Sequence, residues 1–311
     1  MARFLNIGII QMAMGSKEKH EETLRYIEEK VDGLMGSYRH PELIIGVELP
    51  TFHIEKIPGP MSEFFGGIAK KHGIYFIPGT FLEASDELPE GQSYNTAPIF
   101  NPQGELIDIY RKMAPYRPGE PSVPGKKYVV FDIPEKQAKI GVQICYDLNF
   151  PEISRNEALM GAEVLVKLTA DPYELIHINK TLHYARAIDN QCYLVSTNVA
   201  GSSGGATLYG NSMIVDPEGK LVWEAGETEC AACITIDLDV CTRARQYGSL
   251  FCDHYMQHLR SYNFPMPYAG RIGEAPLYRN MPATGDDEQA ANAKARELGV
   301  ATIGTWNRET P

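Results

Sequence analysis

Short apolar runs, most of them rich in Ile and Val, recur at residues 4–12, 42–47, 73–81, 97–100, 139–145, 163–168, 191–198, 211–215 and 233–238. Each has the length of a strand. A nearly continuous apolar run fits a strand covered on both faces, where strict alternation would mark one wet face. Between several runs, apolar residues spaced by three and four predict helices over 17–34, 60–72, 151–160 and 174–190. Ser16 is a candidate N-cap for the first, and Pro60 and Pro151 suit first-turn positions. Strands shielded on both sides and interleaved with helices describe a layered α/β protein. A chain of 311 residues has room for two domains or for one large α/β unit.

Two stretches resemble each other. Residues 95–107 and 211–222 each place a strand before a Pro-containing turn closed by Gly, at Asn101 to Gly104 and Asp216 to Gly219, and then a second strand. Both read as hairpins, 115 residues apart, and no linker separates the halves they mark. From about residue 270 the chain changes character, becoming rich in Gly, Pro, Asp, Glu and Ala with one helix expected at 286–298. This divides the chain into a main domain, 1–270, and an arm, 271–311, that packs on a neighbouring subunit or stays mobile.

Lys and Arg number 29 against 40 Asp and Glu, a net charge of −11 that repels phosphate backbones and anionic membrane surfaces. Nucleic acid is therefore not an expected partner. No run approaches the roughly 18 to 20 apolar residues of a membrane span, and the first residues lack the apolar region of a signal peptide. The expectation is a cytoplasmic protein with no membrane partner, whose six cysteines stay reduced. Cys230-Ala-Ala-Cys233 has the spacing of a zinc half-site or redox pair, but no second pair follows and the motif runs into a strand pattern. His254 and His258 lack the Glu that a HExxH motif demands, and read as a polar helix face.

Three strand ends carry reactive groups. Cys145 closes the run Lys139 to Cys145, six residues before a Pro-started helix, where a thiol has exposure and nearby backbone donors. Glu48 ends an apolar run too, and burial there would raise its proton affinity toward that of a general base. Lys112 follows the first hairpin as a cation at a strand end.

The order Glu48, Lys112, Cys145 resembles the nitrilase superfamily of carbon-nitrogen hydrolases. Supporting residues are Gln11, Tyr94-Asn-Thr, Tyr110-Arg-Lys112, Cys145 through Glu152, Gly161-Ala-Glu-Val-Leu and Asn198-Val-Ala-Gly201, spread over about residues 4 to 240. The resemblance implies a four-layer α-β-β-α sandwich. Within the superfamily, Lys112-Met-Ala-Pro-Tyr-Arg-Pro-Gly-Glu120 is similar to aliphatic amidases and formamidases, which carry a second active-site glutamate eight residues after the lysine. Two positions depart from that pattern. Gly46-Val47 precede Glu48 where a Phe-Pro pair is usual, and Leu148 stands where the amidase type has Gly, reshaping the pocket.

The resemblance implies Cys145 as nucleophile, Glu48 as proton acceptor and donor, Lys112 as oxyanion partner, and Glu120 positioning substrate or water. Tyr146, Leu148, Thr169 and Ala170 are the expected substrate and oxyanion contacts. The implied reaction hydrolyses a small uncharged, aliphatic amide to acid and ammonia through a thioester, with no metal or other cofactor. An N-carbamoyl amino acid hydrolase or a nitrilase shares the triad, and a catalytically silent scaffold is the non-enzyme alternative. A carbamoyl amino acid site wants Arg for the carboxylate; 146–150 has none, though Arg117 and Arg186 stand elsewhere. The partners expected are the amide and further copies of this chain, since the aromatic-rich segment 247–262 needs a surface to cover.

Overall fold

The computed structural model describes residues 2–203, 205–248, 255–262, 264–265, 268 and 270–279, with isolated positions 290, 293, 294 and 297. Its first half runs β1 (Phe4–Gln11), α1 (His20–Met35), β2 (Leu43–Ile45), β3 (Ile54–Lys56), α2 (Pro60–His72), β4 (Tyr75–Ile77), β5 (Phe81–Ala84), β6 (Tyr94–Phe100) and β7 (Leu106–Arg111). The second half runs β8 (Val130–Ile133), β9 (Ala138–Ile144), α3 (Pro151–Leu159), β10 (Val164–Thr169), α4 (Ile176–Asn190), β11 (Tyr193–Asn198), β12 (Ala200–Ser203), β13 (Ala206–Tyr209), β14 (Met213–Val215) and β15 (Leu221–Glu224). It closes with β16 (Cys230–Asp237), α5 (Asp239–Tyr247) and α6 (Tyr255–Leu259).

Two sheets carry the architecture. One has the order β16-β1-β2-β4-β6-β5-β3 with β7 also on β6; the other is β15-β14-β11-β10-β9-β8. Alternation along each strand explains the layers. Leu5, Ile7 and Ile9 of β1, with Leu43 and Ile45 of β2, meet Ile140, Val142, Ile144, Val164, Val166 and Leu168 of the opposite sheet in the central core. Their neighbours Ile10 and Ile44 point outward, under Leu24, Ile27 and Val31 of α1 and Met61, Phe65 and Ile68 of α2. On the far side, Leu165, Leu194, Met213 and Val215 lie under Ala158 and Ala187 of α3 and α4. The result is the four-layer α-β-β-α sandwich. Both faces of each sheet are covered, so the strands read as continuous apolar runs.

The halves repeat. β1, β2 and β4 are parallel and are followed by the antiparallel hairpin β6–β7; β9, β10 and β11 are parallel and are followed by β14–β15. The two hairpin turns match bond for bond. Asn101 Oδ1 accepts from the N–H of Gln103 and Glu105, and Asp216 Oδ1 from those of Glu218 and Lys220. Gly104 and Gly219 close them at φ 82° and 79°, a region glycine enters without strain. β16 returns from the second half to pair with β1 from Phe4↔Asp237 to Gln11↔Cys230, so the halves share one sheet.

Several expectations shift. The run 73–81 is two strands, because Pro78 and Gly79 (φ 139°) interrupt it. A 3-10 turn at Lys17–Lys19 precedes α1, and Ser16 makes no side-chain cap bond. β12 and β13 form a separate two-stranded ribbon that pairs Ala200↔Tyr209 through Ser203↔Ala206. Cys230 and Cys233 both lie in β16, where an odd spacing sends them to opposite faces. His254 and most of 286–298 fall outside the described residues. Among the described residues no helix is long and apolar enough to cross a membrane.

Gly46 shows how closely the strand ends are packed. Its N–H donates to Ile77 O at 2.8 Å, its carbonyl accepts from Thr197 Oγ1 at 2.6 Å, and a Cβ there would stand 2.1 Å from Pro78 O. Either Gly46 or the Pro78–Gly79 backbone would have to move, so Gly46→Ala is expected to lower stability by about 1–3 kcal/mol in denaturant unfolding, with activity falling as the following Glu48 shifts.

Candidate active site

Glu48, Lys112 and Cys145 lie just beyond the ends of β2, β7 and β9, and the sandwich brings these ends together between the sheets. Lys112 is 1 % exposed. Its Nζ donates to Glu48 Oε1 at 2.8 Å and Glu120 Oε2 at 2.6 Å. Asn95 of β6 bridges the same two carboxylates, its Nδ2 donating to Glu48 Oε1 at 2.9 Å and Glu120 Oε1 at 3.0 Å. From the opposite sheet, the Ala170 N–H donates to Glu48 Oε2 at 3.0 Å. The Tyr116 N–H reaches Glu120 Oε2 at 3.0 Å.

These contacts give the two glutamates different proton affinities. Burial pushes Glu48 above the usual carboxylate range, with Lys112 only partly opposing it. At Glu120, burial is outweighed by the Lys112 ammonium and by bonds from Tyr116 and Asn95, so its carboxyl is held low. Burial alone would drive Lys112 toward neutrality, but the flanking carboxylates hold it protonated well above the lysine range. The arrangement is a Lys112–Glu120 ion pair with Glu48 as the carboxylate able to exchange a proton.

Cys145 sits in the left-handed region at φ 48°, unusual for a side chain with a Cβ and a form of strain that collects at functional sites. It starts a short 3-10 turn, Cys145–Asn149, leading into α3. Asp147 pins this turn. Its Oδ2 accepts from Tyr110 OH at 2.7 Å and the Ile144 N–H at 2.9 Å, and its Oδ1 from the Ala114 N–H at 2.7 Å. Burial pushes this carboxyl up to about 6. Burial, with Glu48 alongside, also pushes the Cys145 thiol well above its ordinary range, so it rests neutral. A proton acceptor is therefore needed to make it a nucleophile.

A second buried charge pair faces the thiol. Asp171 Oδ1 stands 3.5 Å from Cys145 Sγ, while Oδ2 accepts from Lys167 Nζ at 2.6 Å and Tyr209 OH at 3.3 Å. Lys167 outweighs burial and holds Asp171 ionised. Neither residue was singled out from sequence. A lysine inside the apolar run Val164–Thr169, followed four residues later by an aspartate, was the available signal. Asn95, seen only as part of a motif, was marked by its place in the wholly buried strand β6.

Of the other expected contacts, Ala170 enters through its backbone N–H. Tyr146 packs edge-on between Tyr116 and Phe150, with ring centroids at 5.0 and 5.3 Å. Thr169 is buried at the end of β10, where its hydroxyl helps to hold the Asp171 carboxyl low. Leu148 does not reshape the pocket: its side chain is wholly buried in the cluster beneath α3 and α4, because the turn after Cys145 points it outward. Its carbonyl accepts from Arg186 Nε at 3.0 Å. Arg117 is likewise turned to backbone, with bonds to the carbonyls of Glu120 and Ser122.

Asp147→Asn leaves one backbone N–H facing a donor whichever way the amide turns. It should lower stability by about 1–3 kcal/mol in urea unfolding and slow the reaction of Cys145 with thiol reagents as the turn loosens.

Residues 7–246 match the carbon-nitrogen hydrolase family. An omega-amidase of Xenopus laevis is 34% identical over 212 residues, spanning 62% of this chain and 72% of that protein. One from Saccharomyces cerevisiae is 33% identical over 207 residues, spanning 61% and 68%. Among solved structures, a Saccharomyces cerevisiae member of branch 10 of the nitrilase superfamily superposes with a TM-score of 0.72 at 27% identity, covering 80% of this chain and 95% of its own. A CN-hydrolase superfamily protein of Xanthomonas campestris has the same fold, at TM-score 0.73 and 22% identity, covering 85% and 99%. Because the family match runs through every strand that carries the Glu48, Lys112 and Cys145 cluster, the chain belongs to the carbon-nitrogen hydrolase family of the nitrilase superfamily.

Proposed function

We propose that this protein hydrolyses a small, uncharged, linear amide to its carboxylic acid and ammonia, with Cys145 as nucleophile. The observation that carries the reading is the split pair of carboxylates on one buried lysine, beside a thiol that rests neutral. An amide is a poor electrophile with a poor leaving group, so the reaction needs a thiolate, a proton for nitrogen and donors for the developing oxyanion. Glu48 takes the Cys145 proton as sulfur bonds to the carbonyl carbon. Lys112 and the Tyr146 N–H stabilise the oxygen. Glu48 then passes its proton to nitrogen, the C–N bond breaks and ammonia departs, leaving a thioester. Water attacks the thioester while giving a proton to Glu48; the C–S bond breaks, and the proton returns to sulfur. Glu120 keeps Lys112 charged and orients the amide or the water.

Similarity to omega-amidases supports amide rather than nitrile chemistry. The local charges support an uncharged acyl group. Arg117 and Arg186 are turned to backbone carbonyls, so neither offers a substrate carboxylate a bidentate partner. An ammonia-release screen over short aliphatic amides, aromatic amides, N-carbamoyl amino acids and nitriles should give its highest kcat/KM with a short aliphatic amide; preference for a carbamoyl amino acid would overturn the substrate assignment. Intact mass during turnover should show an acyl adduct absent from Cys145→Ala. Glu48→Gln and Lys112→Met should fold and lose roughly 10² to 10⁴ in rate. Normal turnover by Cys145→Ala would end the mechanism.

The same reading makes the protein a homo-oligomer whose arm, 271–311, meets a partner. Met256 packs against the protein's own helix layer, yet Tyr262, Phe264, Ile272 and Leu277 are 53–67 % exposed. Light scattering should give at least twice 34.6 kDa, and truncation before Tyr247 should lower it.

A further inference from the structure

Away from the thiol, three metal-ligating side chains converge beside the loop that follows Glu48. His20 is the first residue of α1. Glu55 lies in the edge strand β3 and His53 just before it, two residues away. The His20 and His53 rings stack with centroids 4.0 Å apart and planes at 25°. His53 Nε2 lies 3.6 Å from Glu55 Oε2. One donor atom from each of the three side chains lies within 4.8 Å of the others. His20 is buried and the other two are half-buried, which leaves one side open to solvent.

The spacing is informative. At 3.6 Å, His53 and Glu55 are too far apart for a direct N–H···O bond. Two donors held at ~2.0–2.2 Å from one tetrahedral ion stand roughly 3.3–3.6 Å apart, which is this separation. To share one ion the stacked His20 and His53 rings must turn out of their face-to-face contact, so that each aims an edge nitrogen at it. Supporting bonds are already made: Glu55 Oε1 accepts from the Met61 N–H at 2.8 Å, which turns Oε2 toward His53, and Thr51 Oγ1 lies 3.4 Å from His20 Nδ1. Metal ligands are commonly oriented in this way by a second set of hydrogen bonds.

We propose that His20, His53 and Glu55 form a binding site for a divalent transition ion of the zinc type. Two imidazoles and one carboxylate suit zinc and its neighbours rather than calcium or magnesium, which prefer all-oxygen sites. Three protein ligands leave a fourth position for water. The bound ion would join the start of α1 to β3 across the loop 49–53, whose Leu49 N–H donates to Thr80 Oγ1 at 3.0 Å and whose Pro50 O accepts from Gly15 N at 2.7 Å. The site stands independently of the hydrolytic reading.

The test uses zinc chloride with metal-stripped, full-length protein carrying Cys145→Ala, so that the reactive thiol does not compete. Calorimetric titration should show one ion per chain, and X-ray absorption should show nitrogen and oxygen neighbours without sulfur. His53→Ala and Glu55→Gln, each added to that background and checked for folding by circular dichroism, should weaken binding by about 100-fold or more, since even residues one step removed from a metal cost 10–100-fold. Glu55→Gln keeps the acceptor for Met61, so it remains informative if His53→Ala does not fold. A sulfur shell, unchanged affinity in the folded variants, or no binding by the parent at micromolar zinc would overturn the proposal.

Discussion

A lysine ammonium wholly removed from water is the constraint on which the rest of the site depends. Lys112 reaches no solvent, and an unpaired buried cation would cost several kcal/mol or lose its proton. Glu48 and Glu120 both answer it, and Asn95 ties the two carboxylates to each other. The ends of β2 and β7, the middle of the first sheet at Asn95 and the turn 116–120 must therefore be in place together. Ala170 adds the second sheet by donating to Glu48. The site therefore draws on both sheets. The geometry also divides the carboxylates, since Glu120 receives the stronger set of stabilising bonds and Glu48 is left to hold or release a proton.

Around the thiol the same logic works through backbone. A cysteine at φ 48° is strained, and the strain is offset by Asp147, which gathers donors from the strand end, from Tyr110 of the first sheet and from Ala114 beyond Lys112. Thus Cys145 is anchored to the hairpin strand that delivers the lysine. Lys167 and Asp171 place a second neutralised pair on its other side. The buried charges here are answered by opposite charges and by hydrogen bonds, which leaves the site strongly polar.

The repeated halves have come to different uses. Each contributes three parallel strands and a hairpin with an identical turn, yet only β6–β7 leads into a buried cation. In the second half, Ser212 just before β14 donates to Gln11 Oε1 of β1, and Gln11 Nε2 donates to Gly226 O at 2.7 Å. Gln11 thereby locks the first strand to the second hairpin. With β16 paired along the whole of β1, this makes the repeat a single folding unit.

The layered α/β class, most strands and four helices were legible in the sequence, because burial on both faces writes itself locally as continuous apolar runs and helical spacing. The strand-end positions of Glu48, Lys112 and Cys145 were visible for the same reason, and the matching hairpins because turn chemistry is local. What was not visible depends on residues far apart in the chain. Asn95 looks like any strand asparagine until Glu48 and Glu120 lie on either side of it, and Lys167 breaks an apolar run without saying that Asp171 and His183 will meet it. Leu148 was placed beside Cys145 by sequence adjacency, but the turn after Cys145 sends its side chain into the helix layer. His20 and His53 belong to different elements and meet only when α1 packs beside the edge strand. The sequence alone determined which segments form strands and helices and which reactive groups stand at their ends, since those follow from neighbours in the chain. Only the tertiary structure decided which charges share a proton and which ligands share a face, because both are set by distances across the packed sheets.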